Sequence, residues 1–186
     1  LSEAVEVAQK HIENAEIPTE FMVKIAGDYE NQQDSFSGLF TLLLLIVISV
    51  YVVMASQFES LLDPFVIMFS VPFAIVGVLI GITVHGMALD VMAMIGILIL
   101  VGIVVKNGIV LIDYAILCHD RGMDINTAVT TASRQRLRPI LMTTLTTVLG
   151  MVPMAMGSGE GAEMWNGLGI TVSWGLSVST LITLIL

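Results

Sequence analysis

Lys106 stands in the otherwise apolar stretch Ile95 to Ile112, with Asn107 beside it. An ammonium at the middle of a membrane span costs roughly 2.5 to 3.5 kcal/mol on insertion scales, so something must compensate it. On one reading its flexible stem carries the charge to the nearer interface, since Lys106 lies in the inner third of its apolar run. On the other it is half of an intramembrane ion pair in a proton pathway. No Asp or Glu in the other apolar runs is placed to answer it, so on that reading the partner lies in chain beyond this sequence.

Hydroxyls and a second cation follow. Thr143, Thr144, Thr146 and Thr147 cluster at the start of a later apolar run, and Arg136 lies seven residues before Thr143, hence on nearly the same helical face. Most of these threonines are expected to bond to carbonyls of their own helix. Thr143 is the one whose face suggests a polar channel. Met92, Met94, Met151, Met154 and Met156 fall toward the ends of two runs. Thioethers bind soft cations such as Cu(I), but without accompanying Cys or His they read first as flexible apolar filler. The single cysteine, Cys118, excludes an intrachain disulfide, and its neighbour His119 reads as incidental. No metal site or cofactor is expected.

The elements that must position these groups are membrane spans. Of 186 residues, 56% are hydrophobic and 12% charged, against about a quarter charged in a soluble domain. The runs 39–55, 65–84, 91–112, 140–156 and 168–186 each approximate the twenty or so residues that cross a hydrocarbon core. Gly77 and Gly81 form a G-x-x-x-G that favours close helix packing, and Pro72 and Pro153 fall within helices. Four of seven basic residues, Arg121, Arg134, Arg136 and Arg138, fall in the connection 113–139, which the positive-inside rule makes cytoplasmic. The turn Ser56 to Pro64 is then cytoplasmic too, and His85 to Asp90 and Gly157 to Asn166 lie outside. Within the Arg-rich connection Gly122 is expected to stop one helix and Asp124 to cap another running to about Gln135. Pro139 would open the fourth span.

The net charge of -9 comes largely from Glu3, Glu6, Glu13, Glu16, Glu20, Asp28, Glu30 and Asp34, a local property of residues 1–35. That segment reads as an amphipathic helix with Val5, Ala8 and Ile12 on one stripe, then Pro18, then strand-like Glu20 to Ile25. It is too short to bury a core of its own and has no signal-peptide pattern. It is expected to be the last α/β piece of a domain otherwise outside this sequence.

Five segments together resemble the resistance-nodulation-division efflux transporters, from about Gly27 to the end. They are Ala55-Ser56-Gln57-Phe58-Glu59-Ser60 with Asp63-Pro64, Val71-Pro72-Phe73-Ala74, Gly102 through Lys106-Asn107-Gly108, Arg136-Leu137-Arg138-Pro139-Ile140-Leu141-Met142-Thr143, and Gly157 to Glu163. The resemblance implies an all-α polytopic membrane protein. These five helices would be the last of a twelve-helix bundle, with 1–35 ending a periplasmic porter domain and 36–186 in the transmembrane domain. It further implies a secondary active transporter rather than an enzyme: a proton-driven inner-membrane pump for hydrophobic or amphiphilic compounds. Such a pump would be a homotrimer working with a periplasmic adaptor and an outer-membrane channel, with no nucleic acid involved. Lys106, Thr143 and Arg136 match the family's proton relay, whose two aspartates lie on a helix of the other half; Asn107 and Asp113 are candidate supporting groups. Lys106 favours the multidrug branch, because the heavy-metal branch tends to carry an uncharged polar residue there. Heavy-metal efflux and a non-transporting membrane scaffold remain as alternatives. The sequence beyond both ends separates the scaffold from a transporter.

Overall fold

The computed structural model describes residues 28–157, 159 and 161–185, with isolated positions 7, 10 and 11. The stripe and strand expected before residue 28 lie outside the described residues. Six helices follow in order: α1 (Asp28–Phe58), α2 (Leu62–Met68), α3 (Ser70–His85), α4 (Val91–Asp120), α5 (Ile125–Ala155) and α6 (Ala162–Ile185). Five segments are long and apolar enough to cross a membrane, α2 and α3 together forming the second. Among the described residues there is no strand, and the chain is a multi-pass all-α membrane protein. Chain contacts divide it at Leu42, residues 1–42 forming one unit and 43–186 another.

In the first unit, Thr41 Oγ1 donates to Ser37 O along α1 at 3.0 Å. In the second, the helix starts and stops have local causes. Ser60 Oγ accepts from the N–H groups of Leu62 and Asp63 at 3.3 and 3.5 Å, closing the turn into α2. The break between α2 and α3 follows from Pro72, which supplies no N–H and whose ring crowds the carbonyl four residues back, at Met68. Ser70 Oγ donates to Ile67 O at 2.7 Å and satisfies a carbonyl at that break. Gly86 ends α3 at φ 61, a left-handed conformation that glycine adopts without penalty. Asp90 caps α4 by accepting from Ala93 N at 2.7 Å, and Asp124 caps α5 by accepting from Asn126 N at 3.3 Å.

One expectation changes here. Pro139 does not open a helix but lies inside α5, a single 31-residue helix that starts at Ile125. The Asp124 cap had already nucleated the helix, so the proline removes one interior hydrogen bond without ending it. Only 121–124 separate α4 from α5. Each of these helices is about 45 Å long, longer than the roughly 30 Å hydrocarbon core, so both carry polar turns beyond it.

The core of the second unit is α6, packed against α3, α4 and α5. Leu168, Ile170, Val172 and Leu176 are buried on it, and glycines let the backbones approach. A Cβ at Gly77 would lie 2.8 Å from Val178 Cβ and 2.9 Å from Trp174 O, and one at Gly81 would lie 2.7 Å from Trp174 Cβ. The G-x-x-x-G is thus the seam between α3 and α6. Phe65, Val66, Leu79, Val84 and Leu145 are exposed, which suits helices whose outward faces meet lipid.

Candidate functional site

On α4 two sides differ. Val101, Val104, Val105 and Gly108 are buried against the neighbouring helices, whereas Gly102 and Lys106 are exposed one turn apart. Lys106 is the sixteenth of thirty residues in α4, about 20 Å from either end of the helix. It makes no hydrogen bond or ion pair among the described residues. Asp113, seven residues on and so near the same stripe, is also exposed.

Arg136 is half-buried on α5, and its guanidinium carbon sits 4.8 Å over the Tyr114 ring of α4. The Tyr114 hydroxyl donates to Gln135 Oε1, so Tyr114 spans two consecutive residues of α5. The Arg136 Nε is buried without a hydrogen-bond partner among the described residues. A planar cation over an aromatic face is held by the ring quadrupole, most strongly where water is excluded.

Thr143 is exposed and its hydroxyl lies 2.9 and 3.2 Å from its own helix's Ile140 and Pro139 carbonyls. Thr147 donates to Thr143 O at 2.9 Å. The threonine that reaches another helix is Thr144, 7% exposed, whose Oγ1 is 3.2 Å from Thr180 Oγ1 on α6. Lys106, Arg136 and Thr143 are therefore not bonded to one another. Each belongs to a helix surface left open by this chain or, for Arg136, to a contact with Tyr114. Asn107 is half-buried on the inner side of α4, beside Ser179, Thr180 and Thr183.

Sequence reasoning missed the Thr144–Thr180 bond and the Tyr114–Arg136 contact. The first had a signal in the hydroxyls of the last span, Thr171, Ser173, Ser177, Ser179, Thr180 and Thr183, too many for a lipid-facing helix. The second pairs residues 22 apart across a turn of unknown length, and had none. Of the methionines, Met94 is buried and Met156 is 77% exposed. Met154 lines an open cavity of about 490 Å³ with Pro153 and Trp165. Among the described residues no three His, Cys, Asp or Glu side chains are grouped to hold a metal ion.

Five segments long and apolar enough to cross a membrane define an integral membrane protein of the multi-pass helical class. The model of the AcrB/AcrD/AcrF family matches residues 1–186, and the chain belongs to that family of resistance-nodulation-division efflux transporters. It is 40% identical over 179 residues to the swarming motility protein SwrC of Bacillus subtilis (strain 168), covering 96% of this chain and 17% of that protein. It is 36% identical over 185 residues to the multidrug resistance protein MdtC of Erwinia tasmaniensis, covering 99% of this chain and 18% of MdtC. The crystal structure of a heavy metal efflux pump superposes with a TM-score of 0.84 at 31% identity, covering all of this chain and 19% of the pump. The chain thus spans less than a fifth of the length of these relatives.

Proposed function

We propose that this chain works as the second membrane half of a proton-driven drug/proton antiporter of the bacterial inner membrane, exporting hydrophobic or amphiphilic compounds. The observation that carries this reading is Lys106, exposed at the midpoint of α4 and without a hydrogen bond or ion pair among the described residues. A charge so placed calls for an acidic partner on another helix, which the remaining four-fifths of a family-length protein would supply. In this scheme the Lys106 ammonium changes partners as facing carboxylates gain and lose protons, and that exchange biases the pump between its conformations. Arg136 and Thr143 complete the relay, with Asn107 and Asp113 in support. Residues 1–35 end a periplasmic porter domain, and the turn bearing Arg121, with the Arg-rich start of α5, faces the cytoplasm. The whole pump is a homotrimer with a periplasmic adaptor and an outer-membrane channel.

The test is drug efflux from cells expressing a full-length transporter that carries this sequence, measured beside its membrane abundance. Lys106→Ala is expected to abolish efflux at normal abundance. Lys106→Arg should restore it only in part, because a wider planar fork replaces a compact point charge. Near-normal efflux by Lys106→Ala would refute the assignment. Heavy-metal export is the second reading, supported by the similarity to the heavy metal efflux pump; it predicts metal tolerance, rather than dye export, in the same cells.

A further inference from the structure

We propose that the junction of α4, α5 and α6 is a binding site for one water molecule, held by Asn107, Ser179 and Thr183 beside the Thr144–Thr180 hydrogen bond. The inference rests on the packing of the helices and does not require the transport reading.

The junction holds a partly open cavity of about 10 Å³, lined by Val104, Asn107, Ile140, Ser179, Thr180, Thr183 and Leu184, with Asn107 and Thr183 half-buried. A water needs roughly 10 to 15 Å³ measured in this way, and two to four polar partners. Ser179 is 1% exposed and Thr180 6%, so bulk solvent does not serve them. Several hydroxyls of the bundle find a carbonyl of their own helix, as Thr83 does on Leu79 O at 2.7 Å, Thr130 on Asn126 O at 2.7 Å and Thr147 on Thr143 O at 2.9 Å, whereas Thr171 and Ser173 on α6 have none among the described residues. The side chains of Asn107, Ser179 and Thr183 make no such bond among the described residues. All three line one small space, and Thr180 is already engaged with Thr144 at 3.2 Å. An amide has more donors and acceptors than the hydroxyls alone can match, and in an apolar interior unmet groups are costly. One water, donating twice and accepting twice, satisfies all three.

The site also has a mechanical consequence. Asn107 follows Lys106 on α4 but lies on the inner side of the helix, so a water bonded to it and to α6 sets the rotation of α4 at the level of Lys106. Asn107 acts here as a positioning residue.

The experiment has two readouts in a full-length transporter carrying this sequence. The first is a high-resolution map, expected to show a solvent peak within hydrogen-bonding distance of both the Asn107 side chain and Ser179 Oγ. Direct bonding of Asn107 to Ser179 or Thr183 with no peak between them would overturn the site. The second is the unfolded fraction in mixed micelles for Ser179→Val, Asn107→Leu and the double variant. Each single change displaces the water and strands its other partner, so the unfolded fraction should rise about fivefold to tenfold. The double variant should be no worse than the worse single, since both partners are then gone. A Ser179→Val protein more stable than the parent would show a dry cavity that the added methyl simply fills, and additive losses would show that the two residues share no ligand. Either result overturns the proposal.

Discussion

Gly77→Ala puts one methyl group into the seam between α3 and α6. Its Cβ would lie 2.8 Å from Val178 Cβ, 2.9 Å from Trp174 O and 3.0 Å from Gly175 Cα. Two of these three neighbours are backbone atoms, so rotamer changes cannot relieve the clash. Carbon atoms attract best at roughly 3.5 to 4 Å, so α3 must retreat from α6 by about 0.5 to 1 Å, and a gap of that size forfeits a quarter to a half of each displaced contact's attraction. The expected cost is about 1 to 3 kcal/mol, less the few tenths to 1 kcal/mol that alanine returns by stiffening the unfolded chain. Gly102, also helical, has nothing within 4 Å of its would-be Cβ, so Gly102→Ala in this chain meets no clash and should gain about 0.4 to 1 kcal/mol. Cys118, the single cysteine and 2% exposed, supplies the assay. Its rate of alkylation in mixed micelles reports the open fraction when opening is fast relative to labelling. Labelling should accelerate about threefold to a hundredfold in Gly77→Ala and slow in Gly102→Ala. Equal or slower labelling of Gly77→Ala than of the parent chain would refute the close packing of α3 on α6.

Two further outcomes are expected with the same assay. Asp90→Ala removes the acceptor of the Ala93 N–H at the start of α4 and should cost about 0.5 to 2 kcal/mol, while Asp90→Asn should retain most of the cap; equal effects of the two would show that the side chain does not cap. Tyr114→Leu removes the ring under Arg136 and should cost about 0.5 to 2 kcal/mol, whereas Tyr114→Phe keeps the face and loses only the bond to Gln135. A phenylalanine variant as unstable as the leucine variant would assign the contact to the hydroxyl instead.

The spans were legible because lipid imposes the simplest of patterns, a long apolar run. The helix cap at Asp124 was legible because it is local chemistry, whereas the like cap at Asp90 was shown only by the structure. Gly77 and Gly81 announced a seam by spacing alone, but only the structure named α6 as its other side. Pro139 misled for a physical reason: a proline is welcome at a helix start, yet a cap fifteen residues earlier can carry the helix through it. Among the site residues, Lys106 stood out because its charge contradicts its surroundings. The choice between Thr143 and Thr144 could not be made from sequence, since adjacent helical residues differ by about 100° in direction and only the position of α6 decides which one is inside.

The central position of α6 bears on how such a protein is made. Helices enter the membrane in the order of synthesis, and α6 is made after α3, α4 and α5, yet all three seat on it. Until it emerges, the glycine faces of the earlier helices have no backbone to meet and the hydroxyl of Thr144 no threonine across from it. Those three spans must therefore wait in the bilayer as a loose, unsealed set, open to membrane proteases and quality-control factors, until α6 slots in between them. A ribosome that stalls or a message that is cut before α6 is complete would leave α3, α4 and α5 without the helix they share, so lesions in α6 should deplete the protein more severely than their short length suggests.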